Sequence, residues 1–220
     1  MSRSPPVARI GAHAIILVAD VLRDRLCASF ADAVLRDATH YSLECLPRAM
    51  IDEREVRAVV RALVQRLGAP AATAVLREAG GRTADYVIDN HIPIASQLVL
   101  RVAPRRVSLA LLLQAMQANA WTFVGSGQFA VATVDGAPQL VVRECAMCRG
   151  MHERQPMCDY YAGSFERLLS VLVAPGARVE EVACMAQGAD ACRFALLGLP
   201  ALPPPPRAQS AALTQAAGKE

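Results

Sequence analysis

The sequence has few aromatic residues, little net charge and no long uninterrupted apolar run. Aromatic residues make up 5% of the 220 positions, with a single Trp, whereas hydrophobic residues make up 54%. Small and aliphatic side chains must therefore fill the core, which favours helices with some strand. The formal net charge of +3 is too small and too scattered to indicate binding to nucleic acid or to an anionic membrane surface.

A membrane-spanning segment and a signal peptide are also missing from the pattern. The most apolar run near the start, AHAIILVA, is followed at once by Asp20, and a spanning helix needs about 20 apolar residues. The start also lacks the basic region and small-residue cleavage site of a signal peptide. We therefore expect a cytoplasmic protein without a transmembrane segment.

The pattern along the chain predicts one domain with two appendages. Residues 1–10 predict a flexible arm, residues 11–199 a single α+β domain, and residues 200–220 a Pro/Ala-rich disordered tail. Helical spacing dominates the first half, and Asp52 and Ser108 are predicted to cap two of the helices. The second half reads strand, strand, helix, strand, strand, with Asp135-Gly136 as the first turn. This order favours an antiparallel sheet packed against helices.

The cysteines concentrate in the last third of the chain, where five of the seven lie. Cys184 and Cys192 flank the predicted turn between the last two strands, and Glu181 precedes Cys184 by three residues. Together with Cys158 they supply three thiolates and one carboxylate, which satisfy tetrahedral Zn²⁺ and leave no open position. Such a site is structural. Small buried thiols in an ordinary core are about equally expected from spacing alone, and Glu180 is an alternative ligand on the other strand face.

A second set of candidate ligands lies in CAMCRGMHERQPMC, which contains Cys145, Cys148, His152 and Cys158. A C-x-x-C pair is a good metal clamp and His152 follows closely. This set competes with the first one for Cys158. If the first set binds the metal, Cys145 and Cys148 are free thiols or a redox-sensitive pair.

Two segments, CDYYAGSFERLL and VEEVACMAQGADACRF, resemble the four-vinyl reductase domain family. The matching positions are Cys158, Tyr161, Gly163, Glu181, Cys184, Gly188, Cys192 and Phe194. The resemblance covers about residues 120–198 and implies that 119–199 form a ligand-binding core with an α+β fold like that of transport-particle subunits. It also implies a structural zinc ion bound by Cys158, Glu181, Cys184 and Cys192, and a homodimer.

The upstream half, from GAHAIILVADVLRDR to REAGGRTADYVIDNHIP, resembles the stand-alone members of that family in bacteriochlorophyll biosynthesis. The resemblance implies a magnesium-tetrapyrrole ligand such as divinyl (proto)chlorophyllide, pathway enzymes as partners, and a location that includes the periphery of a photosynthetic membrane. Candidate residues for the ligand cleft are His91, as an axial ligand, and Trp121, Phe123, Phe129 and Tyr161. Core packing and helix capping are the ordinary roles of the same side chains.

The family name implies reduction of a vinyl group, but no motif for a redox cofactor is visible. The nearest glycine-rich segment, GSGQFA, follows a helix and lacks the third glycine of a nicotinamide site. The sequence therefore favours an accessory protein that binds the pigment precursor and presents it to pathway enzymes. The alternatives are the 8-vinyl reductase itself and a cytoplasmic small-molecule sensor domain.

The tail generates a first testable prediction. Four consecutive prolines at 203–206 remove four backbone donors and favour extended chain. Truncation after Pro200 should leave the melting temperature and the metal content unchanged, as measured by calorimetry and elemental analysis. A clear drop in either quantity would show that the tail packs on the domain.

Overall fold

The computed structural model describes residues 8–134 and 136–201. Helices dominate the first half and strands the second. In chain order the elements are β1 (Arg9–Ile10), α1 (His13–Arg25), α2 (Ala28–Ala38), β2 (Ile51–Asp52), α3 (Glu53–Leu67), α4 (Ala69–His91), α5 (Ile94–Val102), α6 (Arg105–Ala118), α7 (Trp121–Val124), β3 (Gln128–Val134), β4 (Ala137–Arg143), α8 (Asp159–Leu172), β5 (Arg178–Ala183) and β6 (Cys192–Leu197).

The four long strands form one antiparallel sheet in the order β3-β4-β6-β5. Two hairpins, β3–β4 and β5–β6, meet where β4 pairs with β6, and α8 connects them. Gly136 has φ 80° in the first hairpin, a left-handed conformation that glycine adopts without strain; Asp135 lies outside the described residues. The predicted α+β class, with an antiparallel sheet packed against helices, is confirmed.

Helices α4 and α8 approach each other closely because each presents a glycine to the other's backbone. A Cβ atom at Gly80 would lie 2.0 Å from the carbonyl oxygen of Tyr160, and one at Gly163 would lie 2.1 Å from that of Arg77. Side chains at these positions would push the helices apart. The contact sets the position of α8, and with it the start of that helix at Cys158.

Arg77 reinforces the same contact with charge. Its guanidinium lies 3.0 Å from the carboxylate of Asp159 and 2.8 Å from that of Glu166, both on α8, and donates to the carbonyl oxygen of Val179 at 3.0 Å. Glu166 also accepts from the Val179 backbone N–H at 2.9 Å. Helix α4, helix α8 and strand β5 are thereby held together by one hydrogen-bonded group.

Several local predictions can be compared with the structure. Asp52 caps α3 as predicted, accepting from the backbone N–H of Arg54 at 2.9 Å. The predicted cap at Ser108 is wrong, because the helix begins at Arg105 after Pro104 and the buried Ser108 hydroxyl donates back to the Ala103 carbonyl.

The predicted flexible arm is wrong for its last two residues. Arg9 and Ile10 form strand β1, which pairs with β2, because Ile10 is buried to 1% exposure in the core. Residues 1–7 lie outside the described part of the chain, as does the predicted tail beyond Ala201. Within the described residues, no helix combines the length and the apolar character needed to cross a membrane.

The glycine contact predicts a large difference between two neighbouring positions in substitution experiments. Gly163→Ala should lower the free energy of unfolding by about 3 kcal/mol, because overpacking at a backbone contact forces α4 and α8 apart. Denaturant titration measures this change. Gly81→Ala is the matched control: it lies on the same α4 helix with open space around its Cβ position, and helix propensity predicts a small stabilisation. Equal effects of the two substitutions would contradict the proposed role of the contact.

Candidate metal centre

All five cysteines of the last third meet in one buried cluster between the sheet and the start of α8. Their exposed fraction is zero. The closest pairs of sulfur atoms are Cys145–Cys158 at 3.4 Å, Cys148–Cys192 at 3.4 Å and Cys158–Cys192 at 3.5 Å. Cys27 and Cys45, in contrast, are exposed elsewhere.

Three segments carry these thiols, and each is shaped by its local sequence. Cys158 precedes the first residue of α8. Cys184 follows β5 and Cys192 begins β6, and the turn between them closes through a left-handed Gly188 with φ 93°. This tight connection brings the two thiols together.

The third segment, 145–150, follows β4 through a left-handed Glu144 with φ 50°. Within it the Arg149 backbone N–H donates to the Cys145 carbonyl at 3.0 Å. The Arg149 side chain lies 3.3 Å from the buried carboxylate of Glu53 and donates to the Ser126 hydroxyl at 3.0 Å. These bonds fix the cysteine pair of the segment against the helical half of the chain.

Glu181 joins the cluster from β5 and is incompletely bonded. Its Oε2 accepts from the Cys158 backbone N–H at 2.7 Å, whereas its buried Oε1 has no hydrogen-bond partner. Burial, together with the nearby Cys184, raises the pKa of Glu181 to about 10. At neutral pH this carboxyl is therefore protonated unless a cation lies against it, and cation binding displaces the proton.

The thiols divide into more and less acidic members. Hydrogen bonds from Cys148 and Cys158 lower the pKa of Cys184 to about 7, and a hydrogen bond from Cys145 lowers the pKa of Cys192 to about 6. Burial raises the pKa of Cys158 well above its usual value. Only a cation would allow all of these groups to be thiolates together in a site without water.

Two overlapping sets of four ligand atoms could hold a metal ion. One is Cys158, Glu181, Cys184 and Cys192, and the other is Cys145, Cys148, Cys158 and Cys192; in each, all atoms lie within 4.8 Å of one another. A zinc–sulfur bond of about 2.3 Å places tetrahedral ligands about 3.8 Å apart, close to the observed separations. The geometry therefore fits one tetrahedral ion, and it is too compact for thiolates spread around an iron–sulfur core.

The structure thus brings together the four predicted ligands and changes the rival set. His152 is exposed and belongs to neither set; it lines an open surface groove of about 640 Å³ with Glu153 and Arg154. Its predicted place beside Cys145 and Cys148 is wrong, because Cys192 occupies that position. The sequence argument overlooked that both halves of the C-x-x-C pair contact the other cysteines, although the C-x-x-C spacing was itself the available signal.

The predicted ligand-cleft residues separate into two groups. Phe123, Phe129 and Tyr161 meet in an aromatic cluster completed by Phe165 and Phe194, with ring centroids 5.4 Å apart for Phe123–Phe129 and 5.8 Å for Phe129–Phe165. The buried Tyr161 hydroxyl donates to the Phe123 carbonyl oxygen at 2.8 Å. Phe123 and Phe129 are half-buried.

The other two candidates lie outside this cluster. Trp121 is 62% exposed on α7. His91 is exposed at the end of α4, with its ring 5.5 Å from that of Tyr86, against which His13 stacks. His91 therefore does not contact the aromatic cluster.

Comparison with known proteins places this arrangement in a family. The model of the four-vinyl reductase domain matches residues 138–197, which contain all five clustered cysteines and Glu181. The solved structures that share the fold include an H-NOX protein from S. oneidensis in the Fe(II)NO ligation state, with a TM-score of 0.55 and 13% identity over 85% of this chain and 98% of that one. An H-NOX protein from K. algicida has a TM-score of 0.56 at 9% identity, covering 85% and 95%.

Two curated relatives match over most of their length. Both are described as "Bacteriochlorophyll synthase 23 kDa chain". The one from Cereibacter sphaeroides is 36% identical over 204 residues, covering 90% of this chain and 95% of the relative. The one from Rhodobacter capsulatus is 35% identical over 188 residues, covering 86% of each. The chain therefore belongs to the four-vinyl reductase domain family that includes the bacteriochlorophyll synthase 23 kDa chain.

Proposed function

We propose that this protein acts in bacteriochlorophyll biosynthesis, where it binds a magnesium-tetrapyrrole intermediate and presents it to pathway enzymes. The observation that carries the proposal is the identity of 35–36% to two bacteriochlorophyll synthase chains over most of their length. The description of those relatives as chains of a synthase supports an association with pathway enzymes. Divinyl (proto)chlorophyllide is the proposed ligand, and a homodimer is the proposed assembly.

The proposed ligand site is the aromatic cluster, entered from the side of α7 and β3. Half-buried Phe123 and Phe129 offer flat apolar surface at the edge of the core, and exposed Trp121 lies two residues before Phe123. Aromatic faces of this kind stack on planar ring systems. One solved structure with the same fold was determined to probe heme distortion in the H-NOX family, and a heme is a tetrapyrrole like the proposed ligand.

The proposed metal is a structural zinc ion held by Cys158, Glu181, Cys184 and Cys192. The unpartnered Glu181 Oε1 favours this set over the one with four cysteines, because metal binding would satisfy a buried oxygen that otherwise has no partner. In this arrangement Cys145 and Cys148 remain thiols that donate to the metal-bound sulfur atoms. Four protein ligands close the coordination sphere, so the ion would stabilise the fold and would not activate water.

The zinc assignment predicts different effects for two groups of cysteines. Cys184→Ser should remove the zinc and lower the melting temperature by about 10 °C or more, since zinc contributes several kcal/mol and each one shifts a chain of this size by about 2–4 °C. The double variant Cys145→Ser/Cys148→Ser should retain one zinc ion per chain. Elemental analysis and thermal unfolding measure both quantities. The opposite result would assign the ion to the four-cysteine set, and two ions per chain would contradict a single closed site.

The pigment proposal predicts binding without turnover. Divinyl protochlorophyllide should shift its absorption on mixing and quench the fluorescence of Trp121, and Phe129→Ala should weaken binding about tenfold, or about 1.4 kcal/mol. Phe30→Ala, a half-buried aromatic residue on α2, is the matched control and should leave binding unchanged. Zinc content should be the same in both variants.

The same mixture, supplied with reduced nicotinamide cofactor, should form no monovinyl product. Steady formation of that product would replace the carrier function with the reductase function. Absence of any pigment binding would contradict both and favour a sensor of another small molecule.

A further inference from the structure

The helical hairpin formed by α5 and α6 carries an unusual amount of exposed apolar surface. Ile94 is 83% exposed, Val102 73% and Leu98 61%. Of the eleven large hydrophobic side chains exposed in the described residues, six lie on this hairpin: Ile94, Leu98, Val99, Val102, Val107 and Leu111. Single exposed apolar residues are ordinary, but a concentration of this kind marks an interaction surface.

The two helices of the hairpin have distinct inner and outer faces. On α5, Leu100 is the one buried residue, whereas Ile94, Leu98 and Val102 recur every four residues on an exposed face. On α6, the buried residues Leu109, Leu112, Leu113 and Met116 face the core, and Val107 and Leu111 remain outside. The hairpin is therefore anchored by α6 and offers an apolar outer face on both helices.

The charge on this segment has one sign. Residues 90–134 contain no Asp or Glu, and the arginines among them are Arg101, Arg105 and Arg106, which are exposed around the turn between the helices. None of these three forms an ion pair with the rest of the described residues. The outer face of the hairpin therefore combines apolar side chains with unpaired positive charge, which the small net charge of the whole chain concealed.

We propose that the α5–α6 hairpin docks on the surface of an anionic lipid bilayer. An interfacial helix buries its apolar side chains at the boundary between headgroups and acyl chains, and its basic residues contact anionic headgroups. Arginine suits this position because its long aliphatic part lies along the apolar surface while the guanidinium stays among the phosphates. The helices have 9 and 14 residues, which suits lying on a bilayer.

The charge also argues against a second copy of the chain as the occupant. A two-fold symmetric interface places the same surface patch on both sides, so the arginines of one hairpin would face those of the other. No acidic residue within the segment could compensate for them. An anionic lipid surface supplies the missing negative charge over the whole patch.

Vesicle flotation tests this docking without metal or pigment, so its outcome is independent of the proposed function. The full-length protein should bind vesicles of phosphatidylcholine and phosphatidylglycerol, bind pure phosphatidylcholine at least about tenfold more weakly, and be released as NaCl rises from about 0.1 to 0.5 M. Leu98→Ser/Val102→Ser and, separately, Arg101→Gln/Arg105→Gln/Arg106→Gln should each weaken binding at least about tenfold.

Leu26→Ser/Leu197→Ser is the matched control, since both side chains are exposed apolar groups on other elements, and it should bind as the unaltered protein does. Thermal unfolding should be unchanged in all variants because the substituted side chains are exposed. Equal binding to charged and uncharged vesicles, or full binding by the Leu98→Ser/Val102→Ser variant, would overturn the proposal. So would an absence of vesicle binding combined with a dimer that the same variant disrupts, which would assign the hairpin to a second copy.

Discussion

The close contact between α4 and α8 is the constraint on which the rest of the structure depends. Gly80 and Gly163 allow the two helix backbones to touch, and Arg77 of α4 bonds to two carboxylates of α8 and to the β5 backbone. Because Cys158 directly precedes α8 and Glu181 lies on β5, this one contact determines where two of the candidate metal ligands meet. Small residues thereby control the geometry of a site to which they contribute no ligand.

The candidate metal centre and the aromatic cluster share the same two elements. Cys158 and Tyr161 lie at the start of α8, and Cys192 and Phe194 lie at the start of β6. A metal ion that holds α8 against β6 would therefore also fix the rings at the proposed ligand site. Loss of the metal is expected to loosen the aromatic cluster, so a structural ion of this kind acts on ligand binding through packing and without contacting the ligand.

The molecule divides its functions between opposite kinds of surface chemistry. The cysteine cluster is dry, closed and rich in groups that become negative when a cation binds. The α5–α6 hairpin is exposed, apolar and positively charged. A protein that carries a planar apolar pigment precursor benefits from both, because a rigid core shapes the cleft while a docking surface delivers its contents where such molecules partition.

The sequence alone determined the fold class, the order of the strands, the Asp52 cap and the family, because these follow from local periodicity, capping chemistry and spacing. It also identified Cys158, Glu181, Cys184 and Cys192 as a set, since a tight turn between two strands must bring its flanking residues together. Only the tertiary structure decided that Cys145 and Cys148 join that cluster while His152 stays outside it, because the path of the loop after β4 depends on the distant Glu53 and Ser126. The exposed face of α5 was likewise invisible in the sequence: apolar periodicity shows that a helix has two faces, and only the packing of neighbouring elements decides which face is covered.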